Sequence, residues 1–97
     1  MTLATTEILS GVAEELQLPE DDLIRIGVHS YLERQLRSIQ AEIFAILSRY
    51  NVAGVEDMEA RYRDASLDEA DTWQDLQRLD HLEYKRERFQ RLIETIS

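Results

Sequence analysis

The chain has 97 residues, with 11 basic against 20 acidic side chains, a net charge of −9 and a pI near 4.6. That length holds one small domain with a modest core, and the acidic field repels phosphate backbones while attracting cationic proteins. The absence of cysteine excludes disulfides, thiolate metal sites and thiol nucleophiles.

The N-terminal segment has no basic start and is interrupted by Glu7, Glu14 and Glu15, so it reads as neither a signal peptide nor a membrane span, and a cytoplasmic protein is expected. Thr5 or Thr6 is placed to cap a first helix, in which Ile8, Leu9, Val12, Ala13 and Leu16 recur at three- and four-residue steps up to about Gln17. Pro19 ends it. Glu20, Asp21 and Asp22 then suit the positive end of a new helix dipole. From Leu23 to Tyr50 no proline intervenes, and Leu32, Leu36, Ile39, Ile43, Ile46 and Tyr50 fall at alternating steps of four and three, with Phe44 and Leu47 widening the stripe. A helix about 40 Å long is predicted, at roughly 1.5 Å per residue. Gly27 costs it about 1 kcal/mol against alanine, acceptable where another backbone comes close.

In "NVAG", residues 51–54, Asn51 and Gly54 suit positive φ and predict a chain reversal. A short helix from Val55 to about Asp64 follows, with Val55, Met58 and Tyr62 on one side. Ser66 and Glu69 have the spacing of a capping box and predict a last helix over Leu67–Ile96. Its apolar positions are Leu67, Ala70, Trp73, Leu76, Leu79, Leu82, Phe89, Leu92, Ile93 and Ile96, interrupted by Lys85–Arg88. The fold class is therefore all-α: a short N-terminal helix and a long antiparallel hairpin in one domain over residues 1–97, with residues 1–6 open to forming a short strand. Leu32, Leu36, Ile39, Ile43 and Ile46 are expected to face Leu76, Leu79, Leu82, Phe89 and Leu92. Because a two-helix hairpin leaves apolar surface wet, a homodimeric helical bundle is expected.

Charge is uneven along the chain. Residues 1–24 carry −6, residues 25–55 +2, residues 56–83 −7 and residues 84–97 +2. One reading of the acidic stretches is solvated helix faces partly neutralised by arginines of the antiparallel helix; the sharper reading, compatible with the first, is an acidic collar around Trp73 that receives a basic protein. Trp73 itself is either a core plug or an interface anchor. Kits for catalysis are missing: His29 and His81 lack metal-ligand spacing, no phosphate-binding loop or nucleophile elbow occurs, and Lys85 is the sole lysine. No enzyme activity, metal or cofactor is expected.

The stretch "EILSGVAEELQLPEDDLIRIGVHSYLERQL", residues 7–36, resembles the two helices of ribbon-helix-helix proteins, with Pro19 and Glu20 about where a serine usually stands and Gly27 in a slot usually held by a small residue. The remainder, "EIFAILSRYNVAGVEDMEARYRD" with "DEADTWQDLQRLDHLE", resembles helical extensions of small prokaryotic antitoxins. The resemblance implies a dimerisation part over residues 1–50 and a partner-binding extension over residues 51–97. Such proteins read bases through a basic strand, and here no base precedes Arg25. The resemblance thus implies the dimer scaffold more than a nucleic-acid contact. The first reading is a non-enzymatic antitoxin-like module that binds and neutralises a basic toxin, such as a ribonuclease, through Trp73, Asp68, Asp71 and Asp75. The alternatives are a ribbon-helix-helix transcriptional regulator that binds DNA and a structural or adaptor dimer.

Overall fold

Helix α1 (Thr5–Leu16) starts on the carbonyl of Ala4, which accepts hydrogen bonds from the N–H groups of Glu7 and Ile8 at 3.0 Å each. Neither Thr5 nor Thr6 caps it, because both are already inside its first turn. The computed structural model describes residues 2–96, and among them no strand forms; residues 2–4 have no regular structure. A strand needs a second strand to pair with, and the described residues offer none. The part of the strand expectation that falls on Met1 lies outside the described residues.

Gln17 closes α1 in the left-handed region at φ 56°, and the N–H of Leu18 reaches the Ala13 carbonyl at 2.9 Å. Pro19 fixes the entry to α2 (Glu20–Tyr50), whose first turn carries the three predicted acids. Asn51 ends α2 at φ 51°, with the Val52 N–H on the Leu47 carbonyl and the Val52 side chain buried. Gly54 departs from expectation: its φ of 167° is extended backbone open to any residue.

Helix α3 (Val55–Arg63) runs back along α4 (Glu69–Ile96), from Gly54 near Glu83 to Tyr62, whose hydroxyl lies 2.7 Å from Thr72 Oγ1. Ala65, left-handed at φ 63°, turns the chain once more. The predicted capping box does not form. Ser66 Oγ donates to the Arg61 carbonyl instead, and Asp68 takes the capping role by accepting the Ala70 N–H at 2.9 Å. With the Asp68 carboxylate on the Ala70 N–H directly before the helix, α4 starts two residues later than predicted.

The α2–α4 hairpin is antiparallel. Arg49 reaches Asp75 at 2.8 Å and Arg78 reaches Glu42 at 2.7 Å, while the end of α4 lies beside Arg25 and His29. Between α2, α3 and α4 a core forms from Ile39, Ile43, Ile46, Val52, Met58, Leu79 and Leu82, with Leu76 and Phe89 half-buried against it. The predicted seam is therefore internal to one chain, Leu32 being buried and Leu36 half-buried along its extension. Two expected members are outside it: Phe44 is 71% exposed and Leu92 is 43% exposed.

The molecule measures 61 × 31 × 16 Å with a radius of gyration of 20.0 Å, against about 12 Å for a compact chain of this length. At one end, α3 closes the hairpin into three helices. At the other, only α1 joins it, through buried Ala13 and a hydrogen bond from Ser10 to Glu20. Among the described residues no helix is long and apolar enough to cross a membrane.

Candidate protein-interaction surface

The closed end carries most of the charge: residues 38–83 hold a net −7, and residues 1–37 with 84–97 together hold −2. Three-helix packing concentrates these acids by setting α3 beside the first half of α4. Glu56 and Asp57 from α3 meet Asp80 and Glu83 from α4 around a 500 Å³ cleft floored by Ala53, Gly54 and Val55. Asp57 is held in place, accepting the Ala53 N–H at 2.9 Å, with Arg61 3.9 Å away.

Trp73 stands 43% exposed at a second, shallow cleft of 470 Å³ with Glu69, Ala70, Leu76 and Gln77. Asp80 is seven residues on, two helical turns at about 3.6 residues each, and so shares its face about 10 Å away. The indole and the acidic cleft thus lie along one side of α4.

The acids singled out from sequence are dispersed by comparison. Asp68 caps α4, and Asp71 is exposed. Asp75 points into the hairpin, where it accepts hydrogen bonds from the Tyr50 hydroxyl and from Arg49 Nη1. The tyrosine first, then the guanidinium, hold its carboxyl below the ordinary value of 3.8; the same carboxylate pushes the Tyr50 phenol above 10.0. Asp64 is likewise lowered by hydrogen bonding from Ser66, whose backbone N–H reaches Asp64 Oδ1 at 2.9 Å. Asp64, Asp68 and Asp75 thus shape turns and packing. Glu56, Asp57, Asp80 and Glu83 went unrecognised because the sequence gives only the summed charge of residues 56–83. Which carboxylates converge depends on the second reversal at Ala65.

Among the described residues no group of three or more His, Cys, Asp or Glu side chains is arranged to hold a metal ion. His29 pairs with Glu33 one turn on, at 3.6 Å, and His81 is exposed. Every buried side-chain polar atom among those residues has a partner; Thr72, for instance, donates to the Asp68 carbonyl at 2.8 Å.

No curated protein and no solved structure matches the chain. A family model does match, over residues 1–97, and on that full-length match the chain belongs to the Uncharacterized protein MJ0235 family.

Proposed function

We propose that this protein is a non-enzymatic interaction module whose closed end docks a basic protein partner. The observation that carries the reading is the placement of half-exposed Trp73 and the cleft of Glu56, Asp57, Asp80 and Glu83 along one side of α4. An aromatic that is already partly dry gives a docking surface its anchor, and the surrounding carboxylates steer a cation in and hold it in register. The likeness of residues 51–97 to antitoxin extensions makes a small cationic toxin, such as a ribonuclease, the first partner to try.

The test is calorimetric titration with the product of a small basic reading frame adjacent to the gene. Binding should weaken with rising salt, and Trp73→Ala should weaken it about 30-fold, or about 2 kcal/mol. Asp80→Lys should chiefly slow association. Failure of the neighbouring basic product to bind, or salt-dependent binding of the chain to duplex DNA instead, would sink the reading.

A further inference from the structure

We infer that the open end is a self-association surface and that a second copy of this chain covers it. This rests on observations separate from the docking surface at the other end. Two apolar stripes are bare there: Ile8, Val12 and Leu16 at four-residue steps on α1, and Ile24, Val28 and Tyr31 at steps of four and three on α2, all more than two-fifths exposed. The second stripe borders a 630 Å³ cleft between α2 and the last turn of α4.

Area favours a protein occupant of substantial size. The chain exposes 7342 Å², where a globular protein of 11.4 kDa exposes about 5,800 Å². The excess, on the order of 1,500 Å² over the whole rod, leaves ample room for the roughly 800 Å² per partner of a standard interface.

Charge selects the second copy as occupant. Two identical chains repel through any strongly charged patch they share, and the −7 of the closed end forbids pairing there. The open end holds only −2, with acids on α1 and bases on the end of α4, such as Lys85, Arg88 and Arg91, so that one copy's acids can meet its partner's bases.

Gly27 adds an independent sign. It lies between Ile24 and Tyr31 on the same face, inside a helix where alanine is preferred, yet a Cβ added to it meets nothing within 4 Å. Nothing within one chain requires a glycine there. The open space over it leaves room for the backbone of a second copy to come close.

Sedimentation equilibrium of the full chain at physiological salt tests this. The wild type should be a dimer with a dissociation constant of roughly micromolar or tighter. Val12→Asp and Val28→Asp, both at exposed positions, should raise that constant at least about 30-fold with unchanged helical circular dichroism. Trp73→Ala, at the opposite end, should leave it within about two-fold. A wild-type monomer at about 100 µM would overturn the inference, as would a dimer indifferent to both aspartates. So would a monomer that floats with phosphatidylcholine vesicles, which would give the face to lipid.

Discussion

The two ends of this molecule use the same raw material differently. At the closed end, α3 covers the hairpin, and Met58 and Leu79 lose all contact with solvent. At the open end, side chains as apolar as Ile24 and Ile26 remain about half exposed on helices of the same type. The helices themselves are equally regular, so the difference lies in coverage: nine residues of α3 close one end, and among the described residues α1 covers the other only in part. Stability is therefore expected to be concentrated at the closed end, with the open end contributing fully only when something else covers it.

The comparison breaks most decisively at Ile43. Ile43→Asp would place an unpaired carboxylate in the three-helix core and should cost about 4 kcal/mol or more, enough to unfold a domain of this size in a urea titration. Retention of a wild-type midpoint would show that the core is not where the stability lies. Next in size is a matched pair. Leu79→Ala should cost about 3 kcal/mol by cavity formation, and Ile24→Ala less than about 0.5 kcal/mol in samples dilute enough to be monomeric. Equal losses from the two would erase the distinction between the ends.

A smaller effect sharpens the account of how the closed end is pinned. Tyr50→Phe removes a hydrogen bond to Asp75 and should cost about 1 kcal/mol near neutral pH. The Asp75 carboxyl is lowered on folding, so its contribution is present above the unfolded carboxylate range and is lost as pH falls through the folded value. The Tyr50 phenol is raised, so its contribution holds below 10.0 and fades as pH rises through the folded value. The gap between wild type and Tyr50→Phe should accordingly be widest between these limits and close at both extremes, as read by denaturation across pH. A constant gap would remove Asp75 from the explanation. Smallest is Ala65→Gly, which relieves a left-handed alanine and should raise stability by about 0.5 kcal/mol, measured as an upward shift in Tm.

Much of this architecture is legible in the residues. The periodicity places α2 to within its first turn, Pro19 and Asn51 mark its ends, and Ile39, Ile43, Ile46, Leu79 and Leu82 reach the core their spacing implies. Misplacements occur where two local signals compete. Ser66 with Glu69 has the spacing of a cap, but Asp68 stands nearer and wins; Thr5 and Thr6 suit a cap, but the carbonyl of Ala4 starts the helix without one. Phe44 follows Ile43 and so points away from the core, although stripe-counting includes it. The candidate surface was half visible: Trp73 and the acidity of residues 56–83 stand out in one dimension. That Asp75 is bound by Tyr50, 25 residues earlier, while Asp80 and Glu83 face α3, follows only from the turn at Ala65, which puts an alanine in a conformation its sequence does not advertise.

The slenderness of the chain also governs how it moves through solution. A compact protein with a 20.0 Å radius of gyration would contain about 330 residues, so this 97-residue rod tumbles and migrates like a particle far above its mass. Pairing through the open ends alone would overlap two such rods only in part and lengthen the 61 Å dimension further. Doubling the mass should thus increase the frictional drag more than it would for rods paired along their full length, giving an association that gel filtration registers more strongly than sedimentation velocity.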